Sequence, residues 1–290
     1  MKNVRTLKFG RAMGLGDTLW LTAIYKVCKN TSTYFFEDER VKRFSFIFDG
    51  LTDLHFDKDS ESLNGLDFLQ ENYGVLSQEN FLHWRNLDPT HVATKMFKIL
   101  GVDESKYTVL PHINVSDECL ALGQEILNKI GKVENPLVLV SNTSGGIFEG
   151  ENSNNWRAAY RTLPPRAMQE VIDGLSKDFT ILQCGKKGEV FEFNNTIRVY
   201  DLLPNYENPY KALAGLYKIV GKYVGLDTGD YNLMLATGGE CKVLIPDKAL
   251  WWNGVSSIFT KEEFKWERVR AEYINFRNYS QTSERTSLSF

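Results

Sequence analysis

The chain has 290 residues, and 34 Lys and Arg against 37 Asp and Glu leave a net charge of -3. Apolar residues make 42%, charged residues 24% and aromatics 13%, the composition of a globular chain rather than a disordered one. This excludes a strongly basic, nonspecific nucleic-acid binder, although a local basic groove stays open. No apolar run approaches the roughly 18–20 residues of a membrane span, so no transmembrane segment is expected. Met1–Gly10 holds Lys2, Arg5 and Lys8 without an apolar core, so a signal peptide is not expected either.

Val4–Phe9 reads as a strand, followed by a glycine turn and a helix over about Asp17–Lys29. Tyr34–Phe36 and Phe44–Phe48 read as further strands, and the stretch Asp57–Asn86 is polar and poorly periodic. Thr90–Leu100 carries Met96, Phe97 and Leu100 on one helical face, with Gly101 as a stop. After a break at Pro111–Asn114, Asp117–Ile130 has the acidic start and glycine stop of a helix. Strand–helix alternation then restarts. Leu137–Val140, Phe179–Leu182, Ile197–Tyr200, Tyr223–Leu226 and Lys242–Ile245 read as strands, with helices at Pro164–Leu175, Pro209–Val220 and Asp230–Thr237. Lys261–Phe276 reads as a last amphipathic helix, with Phe264, Val269 and Tyr273 as candidate buried positions, before a polar tail.

Such alternation implies parallel sheets covered on both faces. The expected fold is α/β, with two Rossmann-like doubly wound domains facing a cleft. Residues 1–115 form the first domain, 116–135 a linker helix region, 136–260 the second domain, and 261–290 a C-terminal helix and tail. Cys28, Cys119, Cys184 and Cys241 are too far apart in sequence for paired metal ligands, and read as small buried apolar residues in a reducing cytoplasm. His55, His83, His91 and His112 lack zinc-binding spacing, so no metal site is expected.

Three glycine turns fall at strand ends, where doubly wound sheets bind ligands. The first, Gly14-Leu15-Gly16-Asp17-Thr18-Leu19, imitates a dinucleotide fingerprint, with Glu37 about 20 residues on. Leu19 stands where the third glycine belongs, however, and Asp17 would put a carboxylate where a pyrophosphate needs the helix dipole. That carboxylate suits a general base taking a proton from a hydroxyl, or simply a helix N-cap. The second turn, Ser141-Asn142-Thr143-Ser144-Gly145-Gly146, exposes N–H groups able to cradle phosphate; an ordinary surface loop is the alternative. The third, Gly225-Leu226-Asp227-Thr228-Gly229-Asp230, opens a helix with a hydroxyl and N–H groups, unless Asp227 or Thr228 merely caps it.

Together the turns resemble glycosyltransferase family 9, the lipopolysaccharide heptosyltransferases. The family's GxGDxLxxTP pattern is similar to Gly14–Ala23, with Ala23 in place of the proline; its DSGxxHLAxAxG pattern is similar to Asp227–Gly238, with Asn232 in place of the histidine. The strand, Ser/Thr loop, tryptophan and helix over Leu137–Leu175 match in order, and so does Thr180–Gly185. The resemblance implies a GT-B fold and an inverting, metal-independent glycosyltransferase using a nucleotide-diphosphate sugar, with no further cofactor. It implies Asp17 as general base, with Gly14 and Gly16 beside the acceptor. Thr143, Ser144 and Gly145 would lie along the donor diphosphate, and Asp227, Thr228, Gly229 and Asn232 would hold donor phosphates and sugar. Glu189 falls near the ribose position. Arg157 would replace the basic residue that usually precedes the loop tryptophan, where Asn155 stands here.

The acceptor is either a surface saccharide or a hydroxymethylated DNA base of the phage type, the latter needing a flipped base. Trp251, Trp252, Phe259, Phe264 and Trp266, near Lys261, Lys265, Arg268 and Arg270, would supply a face for peripheral membrane or DNA contact, or pack as core. A non-catalytic nucleotide-sugar-binding homologue is the alternative function, and an NAD-dependent oxidoreductase a more distant one.

Overall fold

A computed structural model of the chain describes residues 6–9, 15–16, 18–19, 22–23, 32–35, 44–48, 54–56, 110–142, 163, 165–185, 191–203, 206–226, 228–246 and 269–274. Two compact units emerge: Met1–Asn114 with Trp252–Trp266, and Val115–Trp251 with Glu267–Phe290.

The first unit holds a parallel sheet of β1 (Thr6–Phe9), β2 (Ser32–Phe35) and β3 (Leu54–Phe56), in that order, with Thr6 opposite Ser32 and Thr33 opposite Leu54. Leu15 and Gly16 already have helical backbone, ahead of the expected start at Asp17, and Thr18, Leu19, Thr22 and Ala23 continue it. Leu19 and Ala23, one turn apart, are wholly buried. Thr22 Oγ1 donates to the Leu19 carbonyl at 2.6 Å and accepts from the His112 N–H at 2.9 Å, tying this helix to the end of the unit.

Phe44–Phe48 corrects the expectation of a strand. Ser45–Phe48 is a 3-10 turn, closed by the Ile47 N–H on the Phe44 carbonyl at 3.0 Å. Four apolar residues in five fit a buried strand and a buried turn equally well. Phe46, Ile47 and Phe48 are all buried in succession, on every side of the turn. β3 follows it, too short for its alternation to stand out. The helix expected over Thr90–Leu100 lies outside the described residues.

The second unit is built on six parallel strands: β4 (Leu137–Ser141), β5 (Thr180–Gln183), β6 (Ile197–Arg198), β7 (Lys222–Gly225), β8 (Glu240–Pro246) and β9 (Val269–Ile274). Their order across the sheet is β6-β5-β4-β7-β8-β9. Counted from β4, this is the doubly wound order 3-2-1-4-5-6. Val138, Leu139 and Val140 are all buried, the continuous apolar run of a strand covered on both faces.

Four helices belong to this unit. α1 (Asp117–Ile130) starts at Ser116, whose hydroxyl accepts from the Cys119 N–H at 3.3 Å, and stops at Gly131, where φ is 88°. α2 (Pro165–Leu175) turns Ala167, Met168, Val171, Ile172 and Leu175 into the core. α3 (Pro209–Val220) starts with Asn208 capping the Tyr210 and Lys211 N–H groups and ends at Gly221 in the left-handed region. α4 (Gly229–Thr237) connects β7 to β8. The helix expected as a linker at 116–135 packs on α3 within the unit. Gly123 and Gly215 face each other there so closely that a Cβ on Gly215 would lie 1.7 Å from the Cys119 carbonyl oxygen.

Two further expectations are corrected. Ile197–Tyr200 is strand only to Arg198, and Val199–Asp201 turns into 3-10 helix, burying Val199 and Tyr200 side by side. The C-terminal helix expected over Lys261–Phe276 contains β9 instead, paired from Cys241–Val269 to Pro246–Ile274. Val269, Ala271 and Tyr273 alternate with Arg270 and Glu272, a period of two that the wider helical window hid.

Candidate functional site

The strand order reverses between β4 and β7, whose successors lie on opposite sides, and ligands of doubly wound sheets bind beyond the carboxyl ends at that point. Ser141 ends β4 and Asn142 follows it; Gly225 ends β7, and Leu226, Thr228 and Gly229 follow. The two ends are locked in register, Ser141 opposite Gly225, with the Leu226 N–H on the Ser141 carbonyl at 3.2 Å. Gly225 makes this approach possible. A Cβ there would lie 2.4 Å from the Ser141 carbonyl oxygen and 2.6 Å from the Tyr223 hydroxyl.

Thr228 occupies the N-cap position of α4 in extended conformation, but its side chain makes no capping hydrogen bond. Its Oγ1 lies 3.4 Å from the Tyr223 hydroxyl, which donates to the Leu226 carbonyl at 2.7 Å. With the tyrosine proton so committed, Thr228 is the donor of that longer contact. Asn232 Nδ2 donates to the Thr228 carbonyl at 2.8 Å, so the residue standing at the motif histidine bonds back onto the start of its own helix. Thr228 and Asn232 are both buried, and Gly229 is half-buried.

Asp230, in the first turn of α4, was not expected to matter. Its Oδ1 accepts the Tyr217 hydroxyl of α3 at 2.8 Å. Burial raises its carboxyl above the ordinary range, while the Tyr217 and Ser141 hydroxyls pull it back. Ser141 Oγ has no partner of good hydrogen-bond geometry among the described residues, yet lies near enough to bias that carboxyl. Asn142 Oδ1 is likewise buried without a partner among them, its Nδ2 donating to the Leu163 carbonyl at 3.2 Å. Burial first, and the Asp230 charge second, push the Cys184 thiol and the Tyr217 and Tyr223 phenols well up. All three stay neutral at physiological pH, so Cys184 is a structural thiol rather than a nucleophile. Cys119 and Cys241 are also buried thiols outside any disulfide.

At the carboxyl end of β5, Gln183 bonds through both ends of its amide. Its amide nitrogen donates to the Phe191 carbonyl, and its oxygen accepts from the Phe193 N–H at 3.3 Å and the Thr196 hydroxyl at 3.0 Å. Gly185 follows with φ 129°.

Of the residues read from the sequence, Thr228, Gly229 and Asn232 come together at the start of α4, and Gly16 lies in the first unit with helical, half-buried backbone. Gly14, Asp17, Thr143, Ser144, Gly145, Arg157, Glu189 and Asp227 lie outside the described residues. Among the described residues no cluster of three metal-ligating side chains occurs, and no helix is long and apolar enough to cross a membrane.

No protein-family model matches this sequence, and no curated protein does. Solved structures do match. The glycosyl transferase family 9 protein from Veillonella parvula superposes with a TM-score of 0.56 at 11% identity, over 97% of this chain and 89% of that one. The ADP-heptose lipopolysaccharide heptosyltransferase II of Escherichia coli gives 0.50 at 9% identity, over 92% and 90%. The iron-containing dodecameric heptosyltransferase TibC of enterotoxigenic Escherichia coli, in complex with ADP-D-beta-D-heptose, gives 0.50 at 14% identity, over 84% and 59%. At these identities the likeness defines the fold. The structural neighbours are glycosyltransferase family 9 and heptosyltransferase proteins, the same family that the glycine turns resemble.

Proposed function

We propose that the chain is a glycosyltransferase that moves a sugar from a nucleotide-diphosphate donor to an acceptor hydroxyl. One observation carries this reading: the Thr228-Gly229 turn sits at the switch point of a sheet in Rossmann order, where a helix start meets the end of the neighbouring strand. The fold shared with glycosyltransferase family 9, and the ADP-heptose bound by TibC, support the same donor class.

The chemistry follows from charge. As the glycosidic bond breaks, negative charge grows on the leaving diphosphate. N–H groups at the start of α4, with those of Thr143, Ser144 and Gly145, would stabilise it; preorganised donors of this kind are worth about 3–4 kcal/mol each. This mechanism requires no metal ion. Asp227 would orient the sugar, Glu189 the ribose, and Arg157 would add positive charge. Asp17 in the first unit, flanked by Gly14 and Gly16, would take the acceptor proton during a single displacement, which inverts the anomeric centre. The acceptor is a saccharide or a hydroxymethylated DNA base.

Asn232 favours a second reading. Its amide nitrogen donates back to its own helix, where the motif histidine would face the donor, so a binding protein without turnover is the alternative.

Turnover of the native chain separates the two, and Asp17→Asn tests the base. A thermal-shift panel of nucleoside diphosphates and their sugars identifies the donor, since a ligand at 100 times its Kd stabilises by about 2.7 kcal/mol. Turnover is then measured with saccharide and hydroxymethylated DNA acceptors. The expected outcome is unchanged donor binding with transfer reduced at least about a hundredfold. Near-normal turnover of Asp17→Asn removes Asp17 as base, and donor binding by the native chain without turnover on any acceptor selects the second reading. Salt-sensitive binding to duplex DNA identifies the DNA acceptor.

A further inference from the structure

The carboxyl of Asp230 stands one residue inside the helix start that the proposed function assigns to phosphate. It does not cap its own helix. It turns to the Tyr217 hydroxyl of α3, at 2.8 Å, and lies close to Ser141 at the end of β4. Cys184, beyond β5, and Tyr223, on β7, both feel its charge. Among the described residues, the groups gathered around this acid from the neighbouring elements are neutral hydroxyls and a neutral thiol. On β8, the other strand packed on α4, Cys241 turns its thiol to the Tyr231 carbonyl at 3.8 Å. Lys218 reaches only the far end of α4, donating to the Thr237 carbonyl at 3.1 Å. Among the described residues no cation pairs with this carboxyl.

A phosphate accepting N–H groups from the first turn of α4 would sit within about one helical turn, roughly 5–6 Å in rise, of that carboxyl. Free nucleoside diphosphate and sugar-capped donor differ there by charge. The terminal phosphate of the free form ionises a second time near pH 6, and sugar capping removes that ionisation.

Resting on the donor site assigned above, we propose that Asp230 sets the charge selectivity of the α4 turn. Its carboxylate disfavours the more highly charged nucleoside diphosphate left after transfer, relative to the intact donor, and so promotes product release. The Ser141 hydroxyl, buried at the end of β4, favours the ionised acid, as Tyr217 does from α3. Because Tyr217 and Ser141 favour the ionised acid and burial opposes it, ligand binding and protonation of Asp230 are coupled. The free diphosphate binds more tightly as pH falls through the pKa of this group.

The test uses titration calorimetry on the full chain, with ADP, GDP, UDP and CDP, and with the glucose conjugate of whichever binds. Asp230→Asn is expected to tighten the free diphosphate about tenfold, on the scale of one unit charge at such a distance in a partly screened site. It should tighten the glucose conjugate less and flatten the pH dependence of diphosphate affinity. Tyr217→Phe removes a hydrogen bond that favours the ionised acid, so it is expected to move the midpoint of that pH dependence upward while leaving the acid in place. If the native chain binds none of the four diphosphates, the donor reading fails. If it binds one, but Asp230→Asn binds it equally or more weakly, the charge-selectivity proposal fails and the donor reading stands. If Asp230→Asn does not fold, an unmoved midpoint in Tyr217→Phe overturns the proposal.

Discussion

Two places in the second unit bring backbone unusually close, and they do so for opposite ends. Where α1 crosses α3, Gly123 and Gly215 let two helices touch main chain to main chain. At the β4–β7 junction, Gly225 also admits a close approach, but its surroundings are polar: Tyr223, Thr228, Asp230 and Ser141, whose hydroxyl has no partner of good hydrogen-bond geometry among the described residues. The first contact leaves room for nothing and serves the fold. The second stores polar capacity that a finished core would have satisfied, as expected where a ligand completes the structure. Close packing alone therefore does not mark a site; close packing around unsatisfied polar groups does.

The largest test of that contrast is Gly215→Ala, whose Cβ would overlap the Cys119 carbonyl. It should cost about 3 kcal/mol or more by denaturant titration, and surviving folded protein should bind nucleotide normally. Gly225→Ala should cost about 2 kcal/mol and, unlike the first, also weaken nucleotide binding, because the added methyl pushes β4 and β7 apart. A Gly225→Ala chain that loses stability but keeps its affinity would dissolve the distinction. Ser116→Ala, at the start of α1, should cost about 1 kcal/mol through loss of its cap, with no effect on binding. At the small end, Glu118→Gln removes the 2.8 Å ion pair that joins α1 to Lys211 of α3. Glu118 is largely exposed, so the change should stay within about 0.5 kcal/mol and vanish in high salt.

Asp230 separates the two places by pH as well. Its pKa in the folded chain lies above that of the unfolded chain. Between those values the folded form binds more protons, so this group's contribution to stability is greatest below the unfolded value and falls as pH rises through the folded one. Asp230→Asn should therefore gain on the native chain over that interval and hold a constant difference above it, read from denaturation curves at several pH values. Gly215→Ala should show no such dependence.

Much of this was legible in the sequence wherever signals were local and redundant. α1 carries Ser116, Asp117 and Gly131, and α3 carries Asn208, Pro209 and Gly221, so both helices follow from their punctuation. The Thr228-Gly229 turn is legible because a strand, a glycine and a helix start coincide. What stayed hidden depends on contacts distant in sequence. Phe44–Phe48 could not be assigned from apolar content alone, and β9 needed a partner strand to reveal its period of two. Asp230 carries no such local signal, because an acid in the first turn of a helix is usually a solvated one that complements the dipole. Only α3, bringing Tyr217 to the same point, distinguishes it.

The pairing of β8 with β9 has a further consequence. Residues 247–268 separate them in sequence, so the sheet gains its outermost strand late in the chain. On the ribosome, β8 must wait with one edge bare while that intervening segment is synthesised. A fragment cut after Trp251 would keep the edge open permanently, inviting the intermolecular strand pairing that causes inclusion bodies.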